Sequence, residues 1–267
     1  MTAAGIRSIM AALWIVTALS TALAADDPAA TEMMACNDAA TKVTDAKAEL
    51  TMVLTDSSGG QRVRKLVMMT KLEANGLDNM RLLRFTAPAD IKGTVTLLIE
   101  QRNQDDDMWI YLPALKKVRR LVADNKRDSF VGSDLTFGDI IGHKPIDWSH
   151  QKVREDTVDG RAVSVIESLP RNDRVRSSSG YSKRITWVDR ESCLALKTDY
   201  WDEAGQMMKS ILASQIKLVD EIGHKWQFMH VEASNQQSSH RTILNFDHYA
   251  ANQGLTDELF TPQAMER

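Results

Sequence analysis

The sequence predicts a mainly β fold built as an antiparallel meander, on three observations. Ten or eleven short apolar–polar alternating runs follow one another at short intervals. Nearly all of them are joined by hairpin signals such as Ser58-Gly59-Gly60 and Asp159-Gly160. Nowhere do strands and helices alternate in the way a parallel sheet requires. An antiparallel sheet of so many strands curls or closes, so its inner face becomes either a core or a cavity.

Before these runs stands a segment with the marks of a signal peptide. Arg7 supplies a positive start, Ile9 to Ala18 is a short apolar stretch, and Ala22-Leu23-Ala24 is a small-x-small cleavage site followed by Ala25-Asp26-Asp27. Residues 1–24 are therefore expected to be removed. The remaining 25–267 are read as one domain, because no Pro-rich linker, composition shift or low-complexity tract divides them. Of the chain, 43% is hydrophobic and 26% charged, ordinary for a water-soluble domain, and a net charge of -3 argues against a nucleic-acid binder.

Asp27-Pro28 reads as an N-cap with proline at the first helical position, opening a helix that runs to about Ala40. Alternation then begins, with Ala46, Ala48, Leu50, Met52 and Leu54 on one face of a strand that turns at Ser58 to Gly60 and returns over Arg62 to Leu72. Met80 to Phe85 and Thr94 to Arg102 follow as strands, the latter with Val95, Leu97 and Ile99 on one face. Met108 to Leu112 alternates Met108, Ile110 and Leu112 against Trp109 and Tyr111, and Lys117 to Val122 is a basic strand. Gly132-Ser133-Asp134 gives backbone freedom and a hinge, with Asp134 placed to cap a short turn carrying Leu135, Phe137 and Ile140.

Further on, Val153 to Thr157 and Ala162 to Leu169 flank the Asp159-Gly160 turn. Arg171 to Gly180, polar and Ser-rich, reads as an exposed loop. Ile185 to Val188, Leu194 to Trp201, Met207 to Val219, Trp226 to Ala233 and Arg241 to Tyr249 complete the strands. The end, Thr256 to Pro262, is a short capped turn carrying Phe260 as a plug.

The chain offers no catalytic set, cofactor motif or metal motif. The six histidines form no i, i+4 pair of the zinc-protease kind, the cysteines form no CxxC, and there is no GxSxG elbow, P-loop or dinucleotide-binding glycine pattern. Asp105-Asp106-Asp107 lacks the spaced ligands and glycine of a calcium loop. An enzyme is therefore not expected. Cys36 and Cys193 carry two open readings: a disulfide closing a very long loop in an oxidising compartment, or buried free thiols. The basic run Lys116, Lys117, Arg119 and Arg120 has two readings as well: a strand edge protected from aggregation, or a contact for an acidic partner or lipid phosphate.

Two motifs carry a family resemblance: Asp107 to Arg120 (DMWIYLPALKKVRR) and Phe130 to Ile140 (FVGSDLTFGDI). Phe85 to Gly93, Leu194 to Lys197, Tyr200 to Gly205 and Leu259 to Pro262 agree with them, so the likeness spans most of the mature chain. The sequence resembles the LolA-like outer-membrane lipoprotein-sorting protein family. The resemblance implies a periplasmic carrier: a curved antiparallel sheet forming an incomplete β-barrel, LolA/LolB-like, with helices covering the mouth and an apolar interior for acyl chains of lipids or lipoproteins. It also implies service to an inner-membrane transporter of the RND or MMPL kind, as carrier or as adaptor or sensor module. On this reading Leu50, Met52, Leu97, Ile99, Ile110 and Leu112 line the cavity and Phe137 and Ile140 form its lid or rim. The cysteine pair is not part of the family pattern. Because side chains alternate with period two, a one-residue error inverts any such face assignment.

Overall fold

Alternating runs become a sheet once each finds a neighbour of the same period. The computed structural model describes residues 26–267; the expected signal peptide lies outside the described residues. Helix α1 (Pro28–Ala40) starts as the sequence indicates, with the Asp27 carboxylate accepting from the N–H groups of Ala29 and Ala30 at 2.9 and 3.3 Å. The first six strands are β1 (Asp45–Thr55), β2 (Gln61–Leu72), β3 (Asn79–Ala87), β4 (Val95–Ile99), β5 (Asp107–Leu112) and β6 (Lys117–Leu121). Helix α2 (Phe137–Ile141) precedes β7 (Trp148–Val158) and β8 (Arg161–Pro170). After helix α3 (Asp173–Ser179) come β9 (Tyr181–Asp189), β10 (Ala195–Asp202), β11 (Met207–Asp220), β12 (Lys225–Asn235) and β13 (Arg241–Ala251).

All thirteen strands lie in one antiparallel sheet, in the order β6-β5-β4-β3-β2-β1-β13-β12-β11-β10-β9-β8-β7. The sheet curves but does not close into a barrel, leaving β6 and β7 as edges. Hairpins join sequence neighbours. At the seam, β1 pairs with β13, setting Leu50 opposite Phe246 and Met52 opposite Leu244. The β7–β8 hairpin turns at Asp159 and Gly160, whose φ angles of +49° and +78° are those of the primed turn that matches strand twist.

Residues 122–147 must travel from one edge of the sheet to the other, and they do so over its concave side. Phe130, Leu135, Phe137 and Ile141 of this crossing are buried against Leu50, Met52, Leu66, Leu83, Phe85, Leu98 and Met108 of the strands. A second apolar cluster lies on the opposite face of β3–β5. There Met80, Leu82, Val95 and Leu97 are covered by Phe260 and Met265 of the C-terminal tail, which confirms Phe260 as a plug.

Three expectations are corrected. Leu97 and Ile99 belong to that outer cluster, not to the concave face; Leu97 sits opposite Trp109, whereas Leu98 sits opposite Met108 on the inside. The reason is that β4 is buried on both faces, so it has no polar side to orient the reading. Arg171 to Gly180 is not a loop but contains α3, capped by the Asn172 side chain accepting from Val175 N–H at 2.9 Å and ended by left-handed Gly180. The cap of α2 is Thr136, in a reciprocal box with Asp139, and not Asp134. Asp134 instead binds β13, its N–H donating to Thr242 Oγ1 at 2.9 Å and its carboxylate accepting from the same hydroxyl at 2.7 Å.

Candidate functional site

The concave face is not filled completely. Between the sheet, α1 and the crossing segment lies an inner cavity of about 300 Å³, within the size range of small-molecule sites. Its upper wall is apolar: Leu50, Met52, Leu66 and Leu83 from β1–β3, Val231, Leu244 and Phe246 from β12–β13, and Phe130, Leu135 and Ile140 from the crossing. An outer space of about 580 Å³ lies beside it, between α1, the β2–β3 and β4–β5 loops and the stretch after α2. The two share Asp38, Lys42, Glu100, Ile141 and Gly142 as walls.

That shared neck is charged. Lys42 donates to Asp38 at 2.9 Å and lies 2.8 Å from Glu100, and Arg81 donates to Glu100 at 2.7 Å and to the Ile141 carbonyl at 2.6 Å. Two cations and two carboxylates balance there, and the carbonyl contact ties the end of α2 to β3. Helix α1, which supplies Asp38, is held over the opening by two bonds to Cys193. Cys36 is disulfide-bonded to Cys193 with a Cα–Cα distance of 5.7 Å, and Asn37 donates to the Cys193 carbonyl at 2.8 Å. The disulfide reading, left open by the sequence, is the one the structure adopts.

A second charged cluster lies deeper, where α2 meets β9–β11. Lys209 is fully buried and ion-paired with Asp139, and it also donates to the Asp134 carbonyl at 2.9 Å. Asp139 further accepts from Tyr181 Oη at 3.1 Å and lies 3.4 Å from His143 Nε2. Burial alone would raise the Asp139 pKa, but Lys209 and His143 outweigh it and hold the carboxyl well below its usual range. Burial, reinforced by Arg184, lowers the His143 pKa to about 4 against the pull of Asp139. Burial also lifts the Tyr181 and Tyr200 phenols above their ordinary value. Arg184, 5% exposed, stacks over Trp148 with its Cζ 4.1 Å from the ring centroid, and burial depresses its guanidinium.

Among the residues anticipated from sequence, the structure places Leu50, Met52 and Ile140 on the cavity wall. Phe137 is buried in the core against Phe130, with ring centroids 5.4 Å apart, instead of standing at a rim. Ile110 and Leu112 share the inner face of β5 with Met108, but the cavity does not reach them. Gly132, Ser133 and Asp134 form a turn closed by Ser133 Oγ donating to the Phe130 and Leu135 carbonyls at 2.8 and 3.2 Å. Lys116, Lys117, Arg119 and Arg120 lie exposed at the β6 edge, where Arg120 pairs with Asp107 and lies over Trp109. Sequence reasoning missed Lys42, Arg81, Glu100, Asp139, His143, Arg184 and Lys209, which are scattered along the chain. Only Asp139 carried a signal, three residues after a threonine in capping-box spacing.

Among the described residues no group of three His, Cys, Asp or Glu side chains could hold a metal, and no helix is long and apolar enough to cross a membrane. An unclosed, curved antiparallel sheet with helices and a crossing segment over an apolar hollow defines a LolA-like protein. A family model described as "Uncharacterized protein" matches residues 77–267, and the chain belongs to that family. A Vibrio parahaemolyticus structure, described as an outer membrane lipoprotein-sorting protein domain, aligns over 90% of this chain and 99% of its own at 25% identity and TM-score 0.82. A DUF1329 family protein from Desulfovibrio piger aligns over 89% and 98% at 27% identity and TM-score 0.81. A LolA superfamily protein from Nitrosomonas europaea shares the fold, with TM-score 0.65 at 17% identity over 87% of this chain and 97% of its own. The LolA-like lipoprotein-sorting resemblance read from the central motifs is thereby shown. No curated protein matches the sequence.

Proposed function

We propose that residues 25–267 act as one periplasmic carrier unit, delivered by a cleaved signal peptide, that holds acyl chains of lipids or lipoproteins in the inner cavity and moves them between membranes. The observation that carries this reading is the apolar cavity on a LolA-like sheet, reached through a neck whose charges are already paired with one another. The lipoprotein-sorting description of the Vibrio structure supports the same class of ligand. An acyl chain of about fourteen methylenes exposes roughly 11 kcal/mol of apolar transfer energy to water, which makes shielding worthwhile without any covalent chemistry. The role is binding, not catalysis. Leu50, Met52 and Ile140 serve it directly.

Native mass spectrometry after gentle purification should show co-purifying lipid, and a fluorescent fatty-acid probe should bind. Replacing Ala213, on the cavity wall, by Trp should cut uptake by about tenfold or more through loss of space, since overpacking forces strain. A protein that is empty on isolation and takes up no probe would sink the carrier reading.

One observation favours a second role, as adaptor or sensor module for an RND- or MMPL-type transporter. Lys117, Arg119 and Arg120 sit exposed on an edge strand whose outer side is unpaired, where the backbone and the cations of Lys117 and Arg119 are open to an acidic partner or lipid phosphate. Charge reversal, Arg119→Glu with Arg120→Glu, should abolish a transporter pull-down while acyl uptake stays intact; retained capture would remove the basic edge from the interface.

A further inference from the structure

The deep cluster is not charge-balanced. Asp139 is its carboxylate, and its acceptors are occupied by Thr136 N–H at 2.7 Å, Tyr181, His143 and Lys209. Lys209 and Arg184 bring two positive charges against that single negative one, and His143 is kept neutral. Arg184 forms no salt bridge among the described residues. Its Nε and Nη2 are buried without a hydrogen-bond partner; the Trp148 face and the Tyr200 phenol adjoin it, and Asp139, already ion-paired with Lys209, attracts it only through space. A buried guanidinium without a carboxylate of its own in contact is costly, and removing the cost takes an anion.

The position of Arg184 says where that anion would come from. Arg184 lines the inner cavity. The β9–β10 register sets Arg184 opposite Tyr200 and Thr186 opposite Thr198, so that all four share a face, and all four line the same cavity. A planar fork flanked by two threonine hydroxyls and a phenol suits a carboxylate or phosphate oxygen pair. The apolar wall of Leu50, Met52 and Leu244 faces the rest of the hollow. We propose that Arg184, with Thr186 and Thr198, docks one acidic group at the end of an acyl ligand, so that the chain lies against the apolar wall and the head pairs with the guanidinium. This rests on the acyl-carrier reading and narrows it to singly acidic lipids.

The test compares palmitate, its neutral methyl ester and palmitoyl lysophosphatidate as ligands for the full mature chain, read by displacement of a neutral fluorescent acyl probe. The native protein should prefer an acid over the ester by about tenfold or more, the worth of a hydrogen bond to a charged group. Preference for palmitate identifies a carboxylate head, and preference for the lysophosphatidate a phosphate head. Arg184→Met should erase the preference while ester binding persists, and Arg184→Lys should keep part of it. Should Arg184→Met fail to fold, Thr186→Val and Thr198→Val provide the same comparison, each with a reduced preference. Equal binding of acid and ester by the native protein, or a preference that survives in the variants, overturns the acidic-head assignment while leaving the carrier reading in place. Absence of all acyl binding overturns both.

Discussion

Single residues in the deep cluster set how the protein responds to acid. His143 has a folded pKa of about 4 against 6.5 for the free side chain. Between those values the unfolded chain holds the proton and the folded one does not, so stability falls as pH drops through that window. Below it the penalty is complete. His150, also depressed by burial, adds in the same direction. Asp139 has the opposite timing: held below its unfolded value of 3.8, it contributes stability above that pH which is lost only on further acidification. Thermal melts taken from about pH 6.5 down to about pH 4 should show a decline worth up to about 3 kcal/mol from His143. His143→Asn should flatten the slope, and an unchanged slope would place the acid sensitivity elsewhere. Beyond the capping-box spacing of Asp139, none of this was visible in the sequence, because Arg184 and Lys209 come from strands far along the chain and no spacing rule links them to Asp139 and His143. Leu50 and Met52 were visible, because β1 alternates cleanly between buried and partly exposed positions.

At the scale of elements, the disulfide is what fastens α1 to the sheet. Cys36 and Cys193 lie 157 residues apart, and in the chain-entropy model so long a loop is worth up to about 5 kcal/mol. Cys36→Ser and Cys193→Ser should each lower the urea midpoint by the same amount, and reductant should lower it in the native protein alone. A midpoint insensitive to both would mean that α1 holds by packing. Because α1 brings Asp38 to the neck and leads directly into Lys42, the same variants should release a bound acyl probe faster. Element type was legible wherever local chemistry spoke, as at Asp27-Pro28 and Asp159-Gly160. It failed at α3, whose Asn172 cap and Gly180 end were hidden in a Ser-rich run, and at β4, where burial on both sides erased the period-two pattern.

For the whole molecule, the antiparallel meander was readable because nearly every link is a hairpin, and hairpins are local. The two features that make a hollow of it are not local. One is the crossing of residues 122–147 from the β6 edge to the β7 edge, which lays Phe130, Leu135 and Ile141 across the concave face. The other is the pairing of β1 with β13, which leaves no trace in either strand, since any two alternating strands of like length are compatible.

That seam has a kinetic meaning. Ala46 meets Thr70 of β2 on one side and Ala251 of β13 on the other, so the first strand synthesised waits for the last before its second edge is covered. Until then the growing sheet carries a bare, largely apolar margin at its centre, while slow non-local pairing keeps it exposed to self-association. A strand that ends up with neighbours on both edges in the finished fold is thus the one most in need of protection while the fold is being made.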